Sequence, residues 1–184
     1  MPLTYRRWTA DDLKEIPNVI WLTWLDAYAS FIPEDDMQSY LRSFYNDENL
    51  TKLFLDPNVS GYVARDGDRV VGFVRTVFKT AEQRYYVSSL YILPSHQRKG
   101  IGTRLMQLAA AEARARGLDR VWIGVMVENK SGLAWYRRLG YEVREEQPFT
   151  MGKTTVAHYI GYVTLDALAN ATSAASKTTR TRES

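Results

Sequence analysis

Two glycines preceded by cations stand between a short apolar run and a helical pattern. Residues 97–102 read QRKGIG, and they follow the run LYIL and Pro94. Helix N-termini leave backbone N–H groups without partners and carry a positive dipole end, and glycine allows a backbone to approach a phosphate closely. These residue types and their spacing predict a turn that binds a pyrophosphate.

Two common phosphate-binding turns are excluded by the same residues. The P-loop requires G-x-x-x-x-G-K-[ST], which the chain lacks, and the dinucleotide-binding fingerprint requires a third glycine where Leu105 stands. A glycine turn without any ligand stays open as the alternative at this point.

A second motif lies at residues 128–142, which read ENKSGLAWYRRLGYE. Its distinctive residues are Asn129, the aromatic pair Trp135 and Tyr136, and Gly140 followed by Tyr141. QRKGIG completes the pattern [QR]-x-x-G-x-[GA], and the two motifs together resemble the two signatures of the GNAT superfamily of N-acetyltransferases. The resemblance covers roughly residues 3–165. Gly132 departs from it, because alanine is more common there, and a glycine should loosen the start of the helix.

The elements that must position these motifs follow from periodicity and turn residues. An alternating segment predicts a first strand, and apolar residues three or four apart predict helices over 16–29 and through Met37, Leu41 and Phe44. The later elements are strands flanking the DGD turn at 66–68, a strand at 84–93, a helix at 101–117, a strand at 120–127, a helix at 131–140 and strands at 141–145 and 154–165. This order predicts an α/β protein with a mixed sheet.

The resemblance makes the fold class more specific. It implies the GNAT acyl-CoA N-acyltransferase fold, a mostly antiparallel sheet with splayed central parallel strands and helices on both faces. With 184 residues the chain is long enough for one domain with a full core. We predict a GNAT domain over residues 1–165. The composition then turns to Ala, Ser, Thr and Arg without periodicity, which predicts a flexible tail over residues 166–184.

The composition excludes several kinds of chemistry. The chain has no cysteine, so thiol nucleophiles and thiolate metal sites are excluded, and its two histidines, His96 and His158, lack ligand spacing, which predicts no metal site. The net charge of +3 is small and the cations are scattered, so we expect no nucleic-acid partner. No apolar run approaches the ~18 residues of a membrane helix, and we expect a cytoplasmic protein without membrane association.

Resemblance to the superfamily implies acetyl-CoA as the cosubstrate. The splayed strands would pair with its pantetheine arm, and backbone N–H groups of the glycine turn would hold its pyrophosphate, with Arg98 or Lys99 reaching a phosphate. The residues expected to bind it are Leu90, Tyr91, Ile92, Gln97, Arg98, Lys99, Gly100, Ile101, Gly102, Thr103, Asn129 and Tyr136.

Tyr136 stands where the family usually has its catalytic tyrosine. A phenol with a pKa of ~10 stays protonated at neutral pH and can donate a proton to the departing thiolate, so we predict that Tyr136 is the general acid. A core aromatic packed beside Trp135 is the alternative. Asn129 has two open roles, a hydrogen bond to the pantetheine arm or the cap of the helix that follows.

The general base has no single candidate in the sequence. Many relatives carry a glutamate at the position that aligns with Tyr86, and a tyrosine cannot easily take that role at neutral pH. Deprotonation through water to Glu82, Glu128 or a backbone carbonyl is the alternative, although a surface ion pair is the more ordinary use of either glutamate. His96 is interpreted as a solvent-exposed loop residue.

The acceptor is predicted from a weaker pattern. Residues 24–58, a strand hairpin and the F-x-x-G step at Phe149 are similar to the PaiA-type spermidine/spermine N-acetyltransferases, which makes a polyamine the first acceptor hypothesis. The acceptor-site candidates are Trp24, Tyr28, Glu34 and Tyr86, although aromatic residues at helical spacing are typical of a core. A CoA-binding sensor without turnover and an enzyme that acetylates peptide or protein amino groups both stay open. A homodimer is a further hypothesis, because a partly open sheet has exposed edges.

Overall fold

A seven-stranded mixed sheet organises the protein, and the computed structural model describes residues 3–171. The strands are β1 (Thr4–Arg7), β2 (Val59–Asp66), β3 (Arg69–Lys79), β4 (Arg84–Ile92), β5 (Arg120–Met126), β6 (Glu142–Met151) and β7 (Thr154–Thr164), in the spatial order β1-β2-β3-β4-β5-β7-β6. The helices are α1 (Ile16–Tyr28), α2 (Glu34–Phe44), α3 (Asp47–Leu55), α4 (Ile101–Ala115) and α5 (Lys130–Arg138), and short 3₁₀ turns occur at Ala10–Asp12 and Pro94–His96. The prediction of a mixed α/β sheet is confirmed.

Central strand β3 is covered on both faces, which explains its nearly continuous apolar sequence. At Gly72 a Cβ would lie 2.9 Å from Ile101 Cγ2, so α4 approaches the sheet closely there. The neighbouring Phe73 points to the other face and stacks on Trp8 with a centroid separation of 5.6 Å. The predicted hairpin of β2 and β3 turns at Gly67, whose φ of 58° lies in the left-handed region.

Strands β4 and β5 are parallel neighbours over a very short length. Their register pairs are Tyr86 with Trp122 and Val87 with Ile123. Ser88 is skipped in the register with β3, which moves from Thr76–Val87 to Arg75–Ser89, and this bulge bends β4. Beyond it β4 and β5 diverge, so the predicted splay is confirmed and a cavity opens between the two strands.

The helix predicted through Met37, Leu41 and Phe44 is α2, and a further short helix, α3, follows it closely. Helix α2 ends at Phe44 and α3 begins at Asp47. Asn46 separates them because its side chain accepts a hydrogen bond from Asn49 N at 2.9 Å and caps α3.

A half-buried carboxylate fastens α4 to the sheet. Glu112 accepts hydrogen bonds from the hydroxyls of Tyr62 and Tyr85, both at 2.7 Å, and pairs with Arg7. Burial acts to raise the pKa of Glu112, but the hydrogen bonds from these three residues lower it to about 2. Because α4 begins at the glycine turn, this anchor fixes the helix on which the turn stands.

The chain continues as a helix past the predicted domain end. Residues 165–171 are helical, and Leu168 in this helix is buried in the core. A flexible tail was predicted from residue 166, but the structure places 166–171 in the packed helix, because Leu168 meets the core where composition alone gave no signal. Residues 172–184 of the predicted tail lie outside the described residues.

Two features of residues 3–171 concern membrane spans and metal sites. No helix in this part is long and apolar enough to cross a membrane. The same residues contain no group of three or more His, Cys, Asp or Glu side chains arranged to hold a metal ion.

Candidate active site

The splay cavity is the space between the diverging ends of β4 and β5. Its volume is about 960 Å³, at the upper end of the range for small-molecule and cofactor sites. The elements around it are α1, β4, the glycine turn, the start of α4, β5 and α5. Its lining residues used below are Asp26, Tyr28, Leu90, Tyr91, Ile92, Gln97, Arg98, Gly100, Ile101, Gly102, Thr103, Gly124, Asn129, Trp135, Tyr136 and Arg138.

One end of the splay cavity is formed by the glycine turn. Arg98 and Gly100 both have positive φ, 59° and 80°, and α4 begins directly after Gly100. The first helical hydrogen bond runs from Arg104 N to Gly100 O at 3.0 Å, so the N–H groups of residues 101–103 have no partner within the helix. These groups and the positive helix end face the cavity, which is the arrangement that binds a phosphate.

Gln97 and Trp135 fix the shape of this turn. The Gln97 side-chain amide donates to Ile92 O at 3.3 Å, which ties the turn to the end of β4. On the other side, a Cβ at Gly102 would lie 3.2 Å from Trp135 Cζ2, so α5 packs directly on the first turn of α4. The second glycine of QRKGIG therefore serves helix packing, whereas Gly100 serves backbone conformation.

Asn129 takes the capping role and also faces the splay cavity. Its Oδ1 accepts from Gly132 N at 3.0 Å and caps α5. A Cβ at Gly132 would lie 2.5 Å from Asn129 Nδ2, so this glycine is needed for the observed cap, where the sequence predicted a loosened helix start. Burial raises the pKa of Tyr28 to about 12, and a hydrogen bond with Asn129 acts in the opposite direction.

Tyr136 lies on α5 beside the splay cavity, 9% exposed. Its ring packs edge-on against Trp135 at 4.7 Å between centroids and lies 5.9 Å from Tyr141. Burial, with Tyr28 and Tyr141 nearby, raises the pKa of Tyr136 above its ordinary value. Within residues 3–171 no group hydrogen-bonds its hydroxyl. The raised pKa keeps the phenol protonated at neutral pH, so it can act as a hydrogen-bond donor. Its packing on Trp135 is the one that the alternative interpretation predicted, and the general-acid role stays a prediction.

Comparisons with known proteins agree with this geometry. Residues 19–141, more than half of the chain, match the Acetyltransferase (GNAT) family. The chain belongs to the GNAT family of acetyltransferases. The predicted resemblance to that superfamily is confirmed.

Individual relatives carry more specific names. Over 79 residues the chain is 37% identical to streptothricin acetyltransferase of Streptomyces lavendulae, covering 43% of this chain and 41% of that protein, so the match spans less than half of the relative. Over 151 residues it is 24% identical to spermidine N(1)-acetyltransferase of Thermoplasma acidophilum, covering 79% of this chain and 91% of that protein.

A solved structure shows the same fold over nearly its whole length. The PaiA N-acetyltransferase from Thermoplasma acidophilum, solved in complex with coenzyme A, superposes with a TM-score of 0.78 at 20% identity. The match covers 89% of this chain and 99% of that chain. The predicted likeness to PaiA-type enzymes is confirmed in pattern and fold.

Most of the predicted GNAT site residues meet at the splay cavity. The structure brings Tyr28, Leu90, Tyr91, Ile92, Gln97, Arg98, Gly100, Ile101, Gly102, Thr103, Asn129 and Tyr136 to its lining. It does not bring Lys99, Trp24, Glu34 or Tyr86 there. Trp24 is 1% exposed in the core, with its ring 6.1 Å from that of Tyr91, because helical spacing on α1 directs it inward.

Tyr86 and the base candidates lie away from the splay cavity. The Tyr86 hydroxyl donates to Glu82 at 3.2 Å, and its ring carries the Lys79 ammonium at 4.6 Å. Glu82 also pairs with Lys79 and is exposed, the surface ion pair that the sequence left open. Glu34 and Glu128 are exposed outside the lining.

Sequence reasoning missed several lining residues. Asp26 and Arg138 contribute charges, and Gly124 lies on β5 just past its last pair with β4. Arg138 lies three residues after Trp135 and therefore on the same face of α5, so periodicity was a usable signal for that residue. Asp26 and Gly124 carry no local signal, because the packing of α1 and the end of the strand pairing place them.

Proposed function

We propose that this chain transfers an acetyl group from acetyl-CoA to a primary amine of a small molecule. The observation that carries the proposal is that the unpartnered N–H groups of the glycine turn and the Tyr136 hydroxyl belong to one cavity. A site for a thioester that carries a pyrophosphate needs an end that binds phosphate and a protonated donor for the departing sulfur.

The residues of the splay cavity suit coenzyme A. Residues 88–92 of β4 and 124–126 of β5 have diverged, so their facing backbone groups are open to pair with an extended amide-bearing chain such as pantetheine. The N–H groups of residues 101–103 suit a pyrophosphate, and Arg98 and Arg138 add positive charge at the lining. Acetyl-CoA supplies the reactive thioester carbonyl.

The proposed chemistry is direct attack by the amine. The neutral amine nitrogen forms a bond to the acetyl carbon while the bond from that carbon to sulfur breaks, and the departing thiolate takes its proton from the Tyr136 hydroxyl. The nitrogen then loses one proton to give the amide, which balances the proton that Tyr136 donated. The raised pKa of Tyr136 keeps that proton in place at neutral pH until sulfur becomes negative. The chain has no cysteine, so a cysteine-bound acetyl intermediate is excluded.

The acceptor is proposed from the relatives. The names of two of them specify spermidine and streptothricin, which supports a small molecule with a primary amine and keeps a polyamine as the first hypothesis. One observation favours a CoA-binding sensor without turnover as the second candidate. Among the described lining residues Asp26 is the only carboxylate, and its Oδ2 lies 3.5 Å from the Gln97 side-chain amide. No other carboxylate of residues 3–171 lines the cavity to take a proton from the amine.

The test is thiol release from acetyl-CoA with a thiol reagent, across spermidine, an aminoglycoside, free amino acids and a short peptide. The absence of cysteine keeps the protein background low. We expect release that depends on one class of amine and falls about 10²-fold in Tyr136→Phe. Tyr159→Phe is the matched control, because Tyr159 lies outside the lining. Coenzyme A binding without release for any amine contradicts the enzyme proposal and favours the sensor.

A further inference from the structure

The imidazole of His158 lies on the backbone of Gly124, at the point where β4 and β5 part. A Cβ at Gly124 would lie 2.3 Å from His158 Cε1 and 2.6 Å from Nε2, so the ring fills the space that any other residue would occupy. Gly124 itself lines the splay cavity, one residue beyond the last β4–β5 pair at Ile123. His158 is not itself among the lining residues; it lies on β7, directly against the backbone of one that is.

The strand register gives the side from which His158 approaches. His158 lies opposite Met126, and Gly124 lies opposite Ile160, so His158 and Gly124 share one face of the sheet. Ile123 and Val125 point to the other face, where both are buried. An amine that reaches the thioester through the splay from the His158 face would meet this imidazole.

The ring is held in one position and is neutral at pH 7. Burial lowers the pKa of His158 below 6.5, and a hydrogen bond with the Gly124 backbone offsets part of this effect. Phe149 packs on the imidazole with 5.2 Å between ring centroids. One ring nitrogen is therefore engaged by the backbone, which leaves the other as a proton acceptor.

Few charged groups face this ring. Its direct neighbours are Gly124 and Met126 on β5 and Gln147 and Phe149 on β6. Tyr40 of α2 lies behind Phe149, and Glu145 is next along the same face of β6. Glu128, beyond the end of β5, is exposed. Among the described residues, His158 is thus the titratable group placed closest to Gly124 on this face.

We propose that His158 is the general base of the acetyl transfer, a role that rests on the proposed function. Its free nitrogen takes the proton that the acceptor ammonium must lose before its nitrogen can attack the acetyl carbon. Tyr136 gives its own proton to the departing sulfur. The amine nitrogen loses a second proton once its bond to the acetyl carbon has formed, and this proton replaces the one that Tyr136 gave to sulfur. His158 returns its own proton to solvent, so the cycle closes without a further reactant.

The first test is the pH dependence of kcat in His158→Gln, which keeps a polar side chain but binds no proton near neutrality. We expect a fall of about 10²-fold at pH 7 that shrinks toward wild type near pH 10, where an alkylamine is itself neutral. Coenzyme A affinity should not change. Gln147→Ala, directly opposite on β6, should keep the wild-type profile. A loss of equal size at every pH would overturn the role, because it indicates a structural effect.

A second measurement uses the wild-type protein and does not depend on the variant folding. The chain has two histidines, so the imidazole proton signals are resolved by NMR and can be titrated individually. The acidic limb of kcat/KM should follow the His158 titration, and a limb that does not follow it would overturn the role. Wild-type protein that releases no thiol for any amine overturns the proposed function as well, whereas turnover unchanged in His158→Gln overturns the base alone.

Discussion

Gly100→Ala tests the glycine turn with an internal control. Gly100 has φ of 80° and Gly117, at the other end of α4, has φ of 74°, and a Cβ at either would meet no atom within 4 Å. Both alanine variants therefore carry the same kind of cost, about 1–2 kcal/mol for an L-residue in the left-handed region. Only Gly100 lines the splay cavity.

The two variants should lose similar stability but differ in ligand binding. Urea unfolding should show a loss of about 1 kcal/mol in each, since the less flexible unfolded chain offsets part of the cost. Calorimetric titration with coenzyme A should show about tenfold weaker binding for Gly100→Ala, because its methyl group opposes the close approach of a phosphate to residues 101–103, whereas the backbone strain is carried by the free and bound forms alike. Gly117→Ala should bind as wild type. Equal affinities in the two variants would refute the placement of the pyrophosphate at this turn.

Three further predictions follow from single side chains. Glu112→Gln should lower the free energy of unfolding by about 3 kcal/mol at pH 7, because the folded protein lowers the pKa of this carboxyl from 4.5 to about 2. The stability that the charged form adds is complete above pH 4.5 and is lost as the pH falls toward 2. Urea unfolding at pH 7 and pH 3 checks this, and an equal loss at both would contradict it. Asn129→Ala should cost about 1 kcal/mol through loss of the α5 cap and should also weaken coenzyme A binding, measured by the same titration, whereas an unchanged affinity would limit Asn129 to capping. Gly132→Ala should shift the Asn129 side chain, because the new Cβ clashes with it, and should reproduce the weaker coenzyme A binding. The loss of stability should be small, because the gain in helix propensity of ~1 kcal/mol opposes the lost cap. Full wild-type affinity would argue against the clash with Asn129.

Local patterns predicted the glycine turn well because its chemistry is contained in consecutive residues. The run Gln97 to Gly102 holds the donor, the left-handed glycine and the packing glycine together, and α5 carries Trp135 and Tyr136 at adjacent positions. Strand pairing cannot be read in this way. Whether Gly124 lies beneath His158 depends on the register of β5 and β7, which joins residues from distant parts of the chain.

The misplaced elements have comparable physical causes. Strand β6 extends to Met151, although the sequence predicted a strand over 141–145, because this edge strand is exposed on both faces and shows no apolar alternation. Trp24 is an aromatic residue of the kind that lines binding pockets, but the packing of α1 on the sheet directs its side chain toward the core. Tyr86 stands on β4 before the bulge at Ser88, so it belongs to the paired part of the strand and not to the open part.

The most direct test of the account is a single-turnover experiment. The protein is loaded with a stoichiometric amount of acetyl-CoA, mixed with the amine that supports release, and analysed by mass spectrometry for acetyl groups on the amine and on the chain. The account predicts one acetylated amine for each thiol released, no acetylated protein at any time, and a rate that falls about 10²-fold in Tyr136→Phe. An acetylated protein that forms and decays at the rate of product formation, or a rate unchanged in Tyr136→Phe, would contradict direct attack assisted by this tyrosine.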